Sequence, residues 1–192
     1  MTQDHAVLLF GKHLIVTGYE LAAPDERRII DRHLDDAARI PATIVRRVIA
    51  AGLQGVFIGA GRVADLDSLA DLAGYSEYDD VAGVYDRNRK CIVVGTRGVD
   101  PTDVPHDFWH EFGHAVGDLL LLNDHFRVGQ MHSNPGIWMR LHPSLRGHYP
   151  GAPLGRRESF AESFRDRLLD RSRAVRIYGA EYVGWLDEEL GV

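Results

Sequence analysis

Two histidines four residues apart, His110 and His114, enclose the run His110-Glu111-Phe112-Gly113-His114. On a helix, a step of four advances about 40° beyond one full turn, so both imidazoles project from one face and can grip one ion. Neutral imidazole is a good zinc ligand, and a zinc with three protein ligands keeps a fourth position for water. Glu111 lies about 100° round the helix from His110. That direction suits a general base reaching the water rather than a ligand reaching the ion. The chemistry expected of this constellation is metal-assisted hydrolysis with Zn2+ as the cofactor.

The flanking residues predict an apolar helix from about Asp107 to Leu122. Phe108, Phe112, Ala115 and Leu119 form one stripe, with Trp109, Val116 and Leu120 beside it. Ligands on such a helix are expected at a buried boundary rather than on a solvated surface. Gly117 falls on the histidine stripe one turn after His114, where the missing side chain leaves room for another element. A metzincin-type site needs a histidine six residues after the second one. That position is Leu120, which excludes that class.

A third ligand must come from elsewhere. Cys91, the one cysteine, lies among Ile92, Val93 and Val94 and reads as a small core residue. Downstream candidates are His125, His132, His142, His148, Glu158 and Glu162. Glu158 is preferred, because it opens a predicted helix, Glu158-Ser159-Phe160-Ala161-Glu162-Ser163-Phe164, in which Glu158 and Glu162 share a stripe. Phe160, Phe164 and Leu168 form the adjacent apolar stripe that would dock it. One carboxylate can bind zinc while the other steadies a ligand imidazole from behind. Asp118, four residues past His114, is a second candidate for that supporting role.

These two motifs together resemble the anthrax lethal factor and Pro-Pro endopeptidase family of zinc metallopeptidases, which are gluzincins. The likeness covers about residues 80 to 190. It rests on His110-Glu111-Phe112-Gly113-His114-Ala115-Val116, followed by Glu158-Ser159-Phe160-Ala161-Glu162. The resemblance implies that Glu158 is the third ligand and that a tyrosine shortly upstream helps hold the substrate oxyanion. Tyr149 is the nearest match. It also implies a zincin-like fold over residues 1–192. An upper lobe, about residues 1–122, would hold a small twisted sheet and the active helix, and a helical lower lobe, about 123–192, would hold Glu158. An extended peptide or protein substrate would lie in the cleft, pairing with an edge strand of the 81–95 hairpin. Separately from the resemblance, His142 and His148 are near Tyr149 in the sequence and are candidates for touching substrate, the alternative being plain loop histidines.

The rest of the chain is consistent with an α+β protein. It has 192 residues, 45% of them hydrophobic and 26% charged, with a net charge of −6. That balance excludes a long disordered chain and argues against a nucleic-acid partner. With one cysteine, an intrachain disulfide and a Cys-rich zinc finger are both excluded. No apolar run approaches the roughly 18 residues of a membrane span, and the N-terminus does not read as a secretory signal, so a cytoplasmic protein is expected.

Residues 6–10 and 13–17 flank Gly11-Lys12 and read as a hairpin or one long strand. Helices are predicted from Pro24 to about Ala38, from Thr43 to Ala51 and from Asp65 to Ala73. Val56-Phe57-Ile58 reads as a buried strand, and residues 81–86 and 90–95 as a hairpin. Residues 123–156 read as a long irregular loop and residues 157–190 as two or three helices. Arg156, Arg157, Arg165, Arg167, Arg171, Arg173 and Arg176 are interspersed with acids, as on a face laced by ion pairs. The competing reading is a zinc-binding, non-proteolytic interaction module.

Overall fold

The computed structural model describes residues 2–66, 81–102, 105–138 and 153–192. The chain begins with a helix, α1 (Thr2–Phe10), where a strand is expected. Ala6 and Phe10, four apart, are both buried, while Leu8 between them is 81% exposed. The helical period therefore decides this segment over the short apolar run. Gly11 ends it at φ +55°.

What remains of the expected hairpin is β1 (Leu14–Thr17), and its partner is not local. It pairs in parallel with β2 (Gly55–Gly59), in register Leu14 to Val56. Two helices make the crossover, α2 (Pro24–Ala38) and α3 (Ala42–Ala50), close to their predicted bounds. Pro24 occupies the first turn of α2, and the Glu26 carboxylate accepts from the Ala23 N–H at 2.9 Å. A 3-10 turn, Val63–Asp65, precedes the helix predicted from Asp65 to Ala73, which falls almost wholly outside the described residues.

The expected hairpin at 81–95 is present as β3 (Gly83–Asp86) antiparallel to β4 (Cys91–Val94). Strand order is β1-β2-β4-β3, which leaves β3 at one edge. β4 is buried on both faces. Ile92 and Val94 join Val56 and Ile58 in the main core, while Cys91 and Val93 pack with Val63, Leu66, Phe57 and Val84 in a smaller cluster. Cys91 is thus a core residue, as expected.

The second half is helical: α4 (Asp107–Leu119), α5 (Phe126–His132), α6 (Pro135–Trp138), α7 (Pro153–Leu169), α8 (Arg171–Tyr178) and α9 (Ala180–Leu190). The fold is α+β. The expected irregular stretch from 123 contains α5, α6 and the first turn of α7. Val128 and Met131 give α5 a buried face, and Pro153 opens α7 four residues ahead of the predicted start. Phe10, Phe108, Phe112 and Phe164 join α1, α4 and α7 through ring contacts of 5.9–6.2 Å. Among the described residues no helix is long and apolar enough to cross a membrane.

Candidate metal centre

Helix α4 turns its apolar side into the core, with Phe108, Phe112, Ala115 and Val116 wholly buried. Its histidine face meets α7 at very close range. A Cβ added to Gly113 would come within 2.9 Å of Ala161 Cα, so glycine is required for this approach. Gly117 repeats the device one turn later. Its Cβ would strike Asn123 Oδ1 at 2.3 Å and Phe160 Cδ1 at 2.8 Å. The room expected at Gly117 is thus taken by the loop after α4 and by α7.

This contact places Glu158, one turn before Ala161 and Glu162, opposite the two imidazoles. His110 Nε2 and His114 Nε2 are 3.1 Å apart. Glu158 Oε2 lies 3.3 Å from the first and Oε1 lies 3.4 Å from the second. A tetrahedral zinc with bonds of ~2.05 Å has ligand atoms ~3.3 Å from one another. Each Glu158 oxygen thus faces one imidazole at close to that spacing, and one ligand atom from each of the three side chains lies within 4.8 Å of the others. Two imidazole nitrogens this close also need a shared proton or a cation between them, so the donor set fits a divalent metal. Among the described residues, His110, His114 and Glu158 are the one group of three or more such side chains able to hold an ion.

Glu162 stands behind His110. Its Oε1 lies 2.8 Å from His110 Nδ1, close but not aligned as a straight hydrogen bond. Its other oxygen pairs with Arg165. Glu162 is almost fully buried, and a buried carboxylate needs such partners. A carboxylate at Nδ1 orients the ring so that Nε2 points toward the cluster, where an ion would take the place of its proton. Burial pulls the His110 imidazole pKa down, but the Glu158 and Glu162 carboxylates outweigh it and raise the group to about 10. Burial works against the charge on Glu158 too, yet the two histidines hold its carboxyl far below the usual range.

The cluster borders a cavity of about 450 Å³ that Glu111 also lines. The edge strand passes directly against this glutamate: a Cβ on Gly83 would sit 2.8 Å from Glu111 Cγ. Beyond Gly83, the Tyr85 hydroxyl donates to Asp118 Oδ2 at 3.1 Å, and Arg87 Nε pairs with Asp118 Oδ1 at 2.6 Å. Asp118 therefore does not support a ligand histidine, as the spacing suggested. It faces the hairpin instead and fixes Tyr85 and Arg87 on the cavity wall. Asn123 and Arg157 complete that wall.

The remaining candidates are engaged elsewhere or lie beyond description. His132 Nδ1 donates to Ser159 Oγ at 3.0 Å, while that hydroxyl donates to Gly155 C=O, so His132 braces α7 beside Glu158. His125 caps α5 and stacks on Trp185 with ring centroids 4.6 Å apart. Tyr149, His142 and His148 fall outside the described residues. Tyr85 and Asn123 were not singled out in the sequence. Only the pairing of β3 with β4 and the turn after α4 bring them here. A comparison with protein-family models and with curated proteins finds no match.

Proposed function

We propose that the chain is a zinc-dependent endopeptidase in which His110, His114 and Glu158 hold the ion and Glu111 is the general base. The observation that supports this most is the convergence of two imidazoles and a carboxylate within 4.8 Å, on a cavity that Glu111 shares. Zinc, when bound, would lower the pKa of a coordinated water toward about 7 and polarise the scissile carbonyl.

The protein groups have separate tasks. Glu111 takes a proton from the attacking water and passes it to the leaving amine. Glu162 fixes the His110 ring from behind, so that Nε2 points inward. The outer edge of β3, beside Glu111, offers backbone groups to an extended peptide, the arrangement expected of the 81–95 hairpin. Tyr149 is assigned the oxyanion by resemblance alone. A zincin-like arrangement of two lobes, divided near residue 122, belongs to the same proposal.

The test is Glu111→Gln. Zinc content should stay near one per chain while cleavage of a random peptide library disappears. Cleavage that persists in the variant would remove Glu111 as the base. A wild-type chain that binds zinc but cleaves nothing would leave the non-proteolytic module as the better reading.

A further inference from the structure

We propose that Arg157 selects the substrate by pairing with an acidic side chain beside the scissile bond. This deepens the peptidase reading and rests on it.

The inference starts from which charges around the cavity are already satisfied. Its wall carries three carboxylates, from Glu111, Asp118 and Glu158, and two guanidiniums, from Arg87 and Arg157. Glu158 faces both imidazoles. Asp118 is taken by Tyr85 and by Arg87 at 2.6 Å, so Arg87 is locally neutralised. Three arginines farther along the closing helices are also committed within the chain. Arg165 pairs with Glu162, and Arg167 and Arg171 both reach Asp187 at 2.7 Å. Arg157 differs from all of these: among the described residues no carboxylate pairs with it.

Its placement is also firm. Arg157 precedes Glu158 on α7, so the packing that sets the metal cluster also fixes the backbone of this arginine. Once a divalent ion joins the cluster, the two guanidiniums and the ion together outweigh the three carboxylates. The cavity then attracts an anion, although the whole chain is acidic at −6. A planar guanidinium on a half-buried wall recognises a carboxylate through two parallel hydrogen bonds, more strongly than it recognises an amide. A substrate glutamate or aspartate supplies that group, whereas a substrate lysine would meet like charge.

The test uses blocked peptide libraries, acetylated and amidated, with one fixed position as Glu, Gln or Lys and the others degenerate. The zinc-loaded wild type should cleave the Glu library about ten- to a hundredfold faster than the Gln library. Arg157→Gln should erase that ratio with zinc content unchanged. Arg157→Lys should keep part of it, and Arg157→Glu should turn the preference toward Lys. Capture of the same libraries on immobilised, zinc-loaded Glu111→Gln protein gives a second readout that needs no chemistry, and acidic peptides should be enriched. Cleavage without a preference for acid, or a preference that survives Arg157→Gln, overturns the assignment while leaving the peptidase reading intact. Enrichment of acidic peptides without any cleavage by wild type defeats the peptidase reading and leaves the selectivity standing. Neither cleavage nor enrichment overturns both.

Discussion

Gly113 lies so close to Ala161 that a Cβ would approach Ala161 Cα to 2.9 Å, and this contact sets the distance between the histidine helix and the glutamate helix. The obstacle is backbone, so it cannot rotate away. Gly113→Val should push α7 outward, destabilise the fold by about 1–3 kcal/mol and weaken zinc binding together with it. Urea denaturation and competition with a metal-sensitive dye measure the two effects. Unchanged zinc affinity would mean that the close approach does not position the ligands.

Glu162 touches no reacting group in the proposed chemistry and acts through His110. Glu162→Gln preserves its volume but removes the charge that holds Nδ1 and pairs with Arg165. Zinc affinity should fall about 10–100-fold, while stoichiometry at saturating metal stays near one per chain. An affinity equal to wild type in a chelator competition would free Glu162 from the positioning role.

The hydroxyl of Tyr85 is committed to Asp118, and burial together with that acid raises its pKa well above the usual phenol range. Tyr85→Phe should therefore lose one hydrogen bond, about 1 kcal/mol of stability, with zinc affinity unmoved. Thermal denaturation of the zinc-loaded protein shows this. A large loss of zinc in the variant would place Tyr85 in the metal centre itself.

His33 carries a pH dependence away from the site. It is wholly buried on α2, and neither ring nitrogen meets an aligned hydrogen-bond partner. Burial lowers its pKa to about 4, against a smaller raising contribution from the Gly95 backbone. The unfolded chain, with a histidine pKa near ~6.5, takes up the proton first as pH falls. Stability is thus full above about pH 6.5 and drains away toward pH 4. Near pH 4.5 the loss from this residue is about 2–3 kcal/mol. Urea midpoints at pH 7 and pH 4.5 should diverge less in His33→Leu than in wild type. An equal divergence would locate the acid sensitivity in other groups.

The parts of the site that were legible in the sequence are those set by local periodicity. His110, Glu111 and His114 share one helix, and Glu158 and Glu162 share another, so a step of four fixes each set. The meeting of the two helices depends on Gly113 and Gly117, whose small size is visible but whose opposite partners, Ala161, Asn123 and Phe160, are not. Asp118 shows the limit of spacing alone. It sits on the expected stripe, yet Tyr85 and Arg87 from the hairpin take it. At the N-terminus, Ala-Val-Leu-Leu-Phe lacks alternation, and burial of Ala6 and Phe10 makes a helix of a segment expected as a strand. The parallel pairing of β1 with β2 spans two helices, and no turn signal marks such a partner.

The most direct measurement is anomalous diffraction at the zinc edge from crystals of the zinc-loaded wild-type chain. The expected result is one peak about 2.0–2.2 Å from His110 Nε2, His114 Nε2 and a carboxylate oxygen of Glu158. A zinc peak elsewhere, or none with these three side chains turned away from one another, would contradict the metal centre.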